Sequence, residues 1–221
     1  MATRSFNLVV AVDGPAASGK GTIAKALARH YGLPHMDTGA LYRAVGLAVL
    51  RRGGSPADPA AAEASARALD LSLLEDHALR DAATSEAASG VAVHPGVRQA
   101  LFELQRAFAA QPGGAVLDGR DIGTVIAPDA VAKLFVTAGD EVRARRRQTE
   151  LASRGELKDF EEVLADIRRR DARDAGRGAA PLVQAADAAL LDTSDLAIDA
   201  AVQRAIALVE DRIGAMRERG L

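Results

Sequence analysis

Phe6-Asn7-Leu8-Val9-Val10-Ala11-Val12-Asp13-Gly14-Pro15-Ala16-Ala17-Ser18-Gly19-Lys20-Gly21-Thr22 is the stretch on which every later assignment leans. Phe6 and the residues from Leu8 to Val12 form a mainly apolar, β-favouring run, as a buried parallel strand requires. The run breaks at Asp13-Gly14-Pro15. Apolar residues then recur at helical spacing, at Ile23, Leu27 and His30/Tyr31. Between strand and helix sits Gly14-x-x-x-x-Gly19-Lys20. Such a loop can wrap backbone N–H groups around phosphate oxygens, where the helix N-terminus adds partial positive charge. Glycines let the backbone approach an anion, and Lys20 would reach the β- and γ-phosphates. The general pattern places Ser or Thr straight after the lysine. Here Gly21 intervenes and Thr22 follows, so the hydroxyl that usually holds Mg²⁺ is displaced by one residue. A glycine-rich turn between a strand and a helix is the competing explanation. Strand, loop, lysine and helix coincide, which favours a nucleotide-phosphate site.

Composition bounds what else the chain does. Its 221 residues suit one core domain with an insertion and can bury a sizeable core. There is no cysteine, so neither a disulfide framework nor a thiolate metal site is available. A net charge near −2 argues against a broadly basic nucleic-acid surface. Two Tyr, five Phe and no Trp offer no stacking platform for single strands. Positive charge is nevertheless clustered, at Arg145-Arg146-Arg147 and at Arg168-Arg169-Arg170, where it could focus field on a small anion. The apolar run ends at Val12 without a cleavage site, so neither a signal peptide nor a membrane span is expected and the cytoplasm is the default.

Further along, Leu33 to Met36 is a short apolar segment leading into Asp37-Thr38-Gly39, the expected end of a second strand. A helix is expected through Leu41, Val45, Ala48 and Val49, stopping at Arg51-Arg52-Gly53-Gly54. Residues 55 to 90 become rich in Ala, Ser and Asp and read as a small inserted lobe. Within them Leu69-Asp70-Leu71-Ser72-Leu73 alternates as a strand would. Val97 to Phe108 returns to helical periodicity, and Ala115-Val116-Leu117 leads into Asp118-Gly119-Arg120-Asp121. Val131 to Val136 reads as a strand, Val142 to Arg177 as a charged helical stretch interrupted around Ser153-Arg154-Gly155. Ala188 to Leu191 and Ile198 to Met216 read as the last strand and the closing helix. Strands alternating with helices imply a parallel sheet, with the ligand at its carboxyl edge.

Two groups of residues suggest a second anion site. Asp37-Thr38-Gly39-Ala40-Leu41-Tyr42-Arg43 and Asp118-Gly119-Arg120-Asp121 each follow a strand, and Arg43 and Arg120 can each offer a planar fork to phosphate. Either motif alone could be a capped helix or a surface ion pair. In Arg168 to Arg177 the spacing places Arg170, Asp174 and Arg177 on one helical face. A solvated helix with internal salt bridges explains such a run equally well, and Arg146 could simply pair with Glu150. Charge counting shifts the balance. Two nucleotides exchanging a phosphoryl group bring together roughly six negative charges. Lys20 and one Mg²⁺ cannot neutralise that many, so several arginines should converge. A phosphate acceptor with a second pKa of about 6 needs no general base. His30, His35, His77 and His94 have no metal-ligand spacing and are read as structural.

At this point a resemblance emerges. Gly14-x-x-x-x-Gly19-Lys20-Gly21-Thr22 resembles the phosphate loop of nucleoside monophosphate kinases. Asp37-Thr38-Gly39-Ala40-x-Tyr42-Arg43, Asp118-Gly119-Arg120-Asp121 and Arg170-Asp171-x-Arg173-Asp174-x-x-Arg177 together look like bacterial cytidylate kinases. The resemblance implies an α/β fold: a P-loop kinase core with a mostly parallel five-stranded sheet flanked by helices. Within one domain over 1–221 it implies a monophosphate-binding insertion at 55–90 and a helical lid at about 143–170. It implies γ-phosphoryl transfer from ATP to CMP or dCMP with Mg²⁺; a monomer is expected, and the composition argues against nucleic-acid or membrane partners. Gly14, Ala16, Ala17, Ser18, Gly19, Lys20, Gly21 and Thr22 would hold ATP. Arg43, Arg120 and Arg177 would hold the acceptor's phosphate, and Ser89, Arg98 and Asp121 would read cytosine. Thr38 would join the CMP site, and Arg170 with Asp174 would meet the sugar. Asp118 would support Mg²⁺ through water, with Thr22 a second candidate. Lys20, Arg177 and the lid arginines Arg146 and Arg147 would serve the transfer itself.

The family often has serine where Thr38 stands, which keeps the hydroxyl. Ser55 to Ser89 is shorter than in many relatives by about one hairpin, so the place of Ser89 depends on where that gap falls. Competing readings are a P-loop kinase for UMP, AMP or a small metabolite such as shikimate, and a non-catalytic nucleotide-binding regulatory module.

Overall fold

The computed structural model describes residues 7–178 and 180–218, so Phe6 lies outside the described residues. The chain forms two compact units. One holds the residues up to Met36 together with those from Ala109 onward, and the other is Asp37–Phe108. The stretch expected as an insertion, 55–90, falls inside the second unit.

The first unit is built on a sheet of five strands in the order β2-β3-β1-β4-β5. These are β1 (Leu8–Asp13), β2 (His35–Asp37), β3 (Gly114–Gly119), β4 (Ala132–Thr137) and β5 (Ala189–Asp192). β1 pairs in parallel with β3 and β4, and β4 in parallel with β5. Val10, Ala11 and Val12 are wholly buried, which accounts for the unbroken apolar run: a central parallel strand is covered on both faces. Leu27 and Ala24 of α1 (Lys20–Tyr31) and Ala205 and Val209 of α8 (Ile198–Glu218) pack with Val10, Val12, Val116 and Leu134 into one core. Two further helices, α6 (Asp140–Ala152) and α7 (Phe160–Ala175), bury Ala144, Leu151, Val163, Leu164 and Ile167 together with Ala16.

The second unit holds α2 (Thr38–Arg51), α3 (Pro59–Arg67), α4 (Ala82–Val91) and most of α5 (Pro95–Ala109). Gly46 of α2 lets α4 approach closely: a Cβ there would lie 2.9 Å from the Ala88 nitrogen and 3.0 Å from Ala87. Asp37 starts α2 by accepting from the Ala40 N–H at 3.2 Å.

Two expectations are corrected. Leu69 to Leu73 is not a strand: Leu71–Glu75 is a 3₁₀ helix whose first turn Asp70 caps by accepting from the Ser72 N–H at 2.9 Å. Leu69 and Leu73 pack on Ala44, Leu47 and Leu79. Three leucines two residues apart fit a strand on paper, but each cap rewards a tight turn instead. The charged helical stretch also ends at Ala175, so Arg177 lies beyond α7 and not on a shared helical face.

Candidate active site

The phosphate loop runs from Gly14 to Gly19, between β1 and α1. Gly19 occupies the N-cap of α1 at φ 88°, and no side chain caps this helix. A helix N-terminus of this kind, with its N–H groups and partial positive charge, favours an anion. Lys20 is the first helical residue, half-buried, with Gly21 and Thr22 following in the first turn. Ala17 adopts φ 58°, unusual for a residue with a side chain. The Ser18 hydroxyl is fully buried without a hydrogen-bond partner, and such an orphan calls for a functional explanation.

Asp13, expected only as the break after the apolar run, is the last residue of β1 and part of the site's framework. It is 5% exposed, and its carboxylate accepts from the Ile122 N–H at 2.8 Å and the Gly123 N–H at 2.7 Å. These belong to a single π-helical turn, Ile122–Ile126, which starts from Asp121. Burial pushes the Asp13 carboxyl up to about 6, although the two N–H bonds pull the other way. Between the ordinary value of 3.8 and about 6 the folded chain thus holds a proton that the unfolded chain has released. Stability from this group is complete below the lower value and falls as pH rises through the window, by roughly 3 kcal/mol. Urea unfolding from pH 4 to 7 should show this slope in the parent chain and lose it in Asp13→Asn. Equal slopes in both chains would remove the assignment. The available signal was an acid closing an otherwise apolar strand directly before the loop.

At the same edge, Asp118 and Gly119 end β3, and Gly119 lies level with Asp13. Asp118 is 2% exposed, and its Oδ1 lies 2.7 Å from His35 Nε2, the ring nitrogen donating to the carboxylate. Its Oδ2 faces the first turn of α1: a Cβ added at Gly21 would come within 3.7 Å of it. His35, read as structural, thus has a specific partner at the candidate site.

Asp174 of α7 is 3% exposed and joins two arginines. Arg120 Nε donates to its Oδ2 at 2.7 Å, and Arg177 Nη2 donates to its Oδ1. Burial alone would raise this carboxyl, but the charges of Arg120, Arg177 and Arg170 outweigh it and hold it below the ordinary value. Asp121 is also buried. Arg146 does not pair with Glu150. Its Nη1 donates to Thr193 Oγ1 at 2.9 Å and its Nη2 to the Thr193 carbonyl at 2.6 Å. Glu150 instead takes Arg147 at 2.8 Å and also Arg154, because a carboxylate one turn away on the solvent side reaches those two. Arg168 pairs with Asp140 at 2.7 Å and Arg169 with Asp166, so these two are ordinary surface pairs.

Within the second unit, Arg43 Nη2 donates to Asp37 Oδ2 at 2.7 Å, on the carboxylate that caps α2. Arg98 lies over the Tyr42 ring, 5.7 Å from its centre. Thr38, at the start of α2, and Ser89, within α4, are buried.

A central parallel strand, a glycine loop opening a helix, and arginines bound to a buried carboxylate beyond the neighbouring strand together define a P-loop kinase. The family model described as "Cytidylate kinase" matches residues 10–211. A cytidylate kinase of Xanthobacter autotrophicus is 63% identical over 205 residues, covering 93% of this chain and 98% of its own. One from Caulobacter vibrioides is 61% identical over 206 residues, covering 93% and 97%. Among solved structures, a gluconokinase from Sinorhizobium meliloti covers 99% of this chain and 100% of its own at TM-score 0.52 and 14% identity, a likeness of fold alone. The chain belongs to the cytidylate kinase family.

Proposed function

We infer that this chain transfers the γ-phosphoryl group of ATP to CMP or dCMP by direct in-line transfer, giving ADP and CDP or dCDP. The observation that carries this reading is the arginine pair on buried Asp174, at the sheet edge that also holds the phosphate loop. A nucleotide sensor needs one anion site, whereas a phosphotransferase between two nucleotides needs two.

Gly14 and Ala16 to Thr22 take the ATP phosphates on backbone N–H groups, and Lys20 bridges the β- and γ-phosphates. Arg43, Arg120 and Arg177 take the acceptor's phosphate through planar forks. Asp121 and Ser89 accept from the cytosine amino group, and Arg98 completes base reading. Thr38 joins the acceptor site, and Arg170 with Asp174 serves the sugar. The monophosphate-binding part lies at 55–90 and the lid at about 143–170. Within that lid Arg146 and Arg147 close over the transferring group and exclude water. The chain acts as a monomer in the cytoplasm, on small molecules. Among the described residues no helix is long and apolar enough to cross a membrane.

Mg²⁺ fits this donor set. Among the described residues no cluster of three or more His, Asp or Glu side chains could cage a metal, so a bound ion must take most of its ligands from phosphate and water. Mg²⁺ characteristically does so, keeping waters and using one or two carboxylates. Asp118, whose Oδ2 faces the first turn of α1, is the candidate carboxylate, acting through water, with the Thr22 hydroxyl a second candidate. The charge neutralisation that phosphoryl transfer needs would come from Mg²⁺ carried in with ATP.

ADP release from Mg-ATP with CMP, dCMP, UMP, AMP, GMP or shikimate offered separately tests the reading. CMP and dCMP should be preferred, with UMP poor because it lacks the 4-amino group. Another preferred acceptor would discard the base-reading residues, and no turnover with any of them would discard the kinase.

A further inference from the structure

Arg143 and Asp171 have no role in the reading above, yet together they reach the phosphate loop. Arg143, in the first turn of α6, is 5% exposed. Its Nη1 and Nη2 donate to the two Asp171 oxygens at 3.0 and 2.6 Å, a two-pronged pair that a lysine cannot reproduce. Nε donates to the Ala138 carbonyl at 2.9 Å, and Nη1 also reaches the Ala16 carbonyl at 3.3 Å. Exposed pairs of this kind matter little; a buried guanidinium left without its carboxylate is another matter.

Ala16 lies inside the phosphate loop. In a trans peptide the C=O and N–H point in opposite directions, so a carbonyl held toward Arg143 sends the Ala17 N–H away from it. Ala17 is also the loop residue at φ 58°, a conformation that a side-chain-bearing residue keeps only where its surroundings enforce it. Two other contacts hold the same segment. Thr193 Oγ1 lies 3.0 Å from the Ser18 carbonyl, and Ala16 packs on the apolar faces of α6 and α7.

We propose that Asp171, acting through Arg143, is a positioning residue for the phosphate loop and hence for the phosphates of ATP. Its place in α7, between Arg170 and Asp174, would otherwise assign it to the acceptor side. The proposal rests on the functional reading of which nucleotide each part holds. Calorimetric titration separates the two nucleotides, with a non-hydrolysable ATP analogue plus Mg²⁺ in one experiment and CMP alone in the other. Asp171→Asn should weaken the analogue about tenfold and leave CMP within about twofold. Arg143→Lys keeps the charge but loses the fork, and should show the same split. Thermal unfolding of both variants controls for folding. CMP weakened as much as the analogue, or an unchanged analogue affinity in both variants, overturns the relay. A parent chain that binds no ATP analogue overturns the functional reading and the relay together. A parent chain that binds both nucleotides while the variants bind the analogue normally overturns the relay alone.

Discussion

Asp174→Ala should lower the free energy of unfolding by about 3–5 kcal/mol, the cost of removing one partner from a buried ion pair. The carboxylate is 3% exposed and bonded to both Arg120 and Arg177, so truncation leaves two guanidinium groups without their shared acceptor. Solvent cannot fully take its place, because the Arg177 side chain is only 7% exposed and that of Arg120 only 18%. The pH dependence has a definite sign. The folded-state pKa is lowered, so the stabilisation is present above the unfolded-state value and is lost as pH falls through the folded one. That is a lower window than the one in which Asp13 acts, and the two carboxyls can be separated by titrating stability. Catalysis should suffer as well, since both arginines are assigned to the acceptor's phosphate. Urea denaturation and initial rates with CMP would measure the two effects. A variant within about 0.5 kcal/mol of the parent would show that the cluster is screened like a surface pair.

Gly14→Ala should be nearly as damaging by an unrelated route. A Cβ at Gly14 would stand 2.0 Å from the Val136 carbonyl oxygen and 3.1 Å from its carbon. Both atoms are backbone of β4, the strand beside β1, so neither can rotate away as a side chain could. The loop would have to leave the sheet, giving a loss of about 3 kcal/mol or more and ATP binding below detection. Gly53→Ala is the informative control. Gly53 also has positive φ, at 68°, but its Cβ would meet nothing within 4 Å. It should cost only about 1–2 kcal/mol, the intrinsic strain of a left-handed residue. Similar losses in both variants, by chemical denaturation, would mean that conformational strain and not the collision with β4 limits Gly14.

The strands and helices of the sheet-bearing unit were legible because their signals are local. The apolar run before Asp13 announces a covered strand, and Gly14 to Lys20 announces the turn into α1. The stop near Ser153 to Gly155 is where α6 ends. Leu69 to Leu73 failed because alternation over five residues cannot compete with two capping aspartates that close tight turns. Residue spacing alone carries α7 on to Arg177, and spacing holds no information about where a helix ends. The link of Arg177 to Asp174 survives because an arginine just past the last turn can still fold back.

The sequence by itself determined the strand–loop–helix unit at Leu8 to Thr22, the alternation that yields a parallel sheet, and which arginines and carboxylates belong to motifs. Each of these is written in neighbouring residues, where propensity, periodicity and spacing act. Only the tertiary structure decided which charge meets which. It joined Asp13 to the N–H groups of Ile122 and Gly123, His35 to Asp118, Arg146 to Thr193, and Arg143 to both Asp171 and the Ala16 carbonyl. Those partners lie far apart in the chain. An arginine in sequence looks the same whether water or a buried carboxylate receives it, and burial, which sets the strength of every such pair, exists only once the chain has packed.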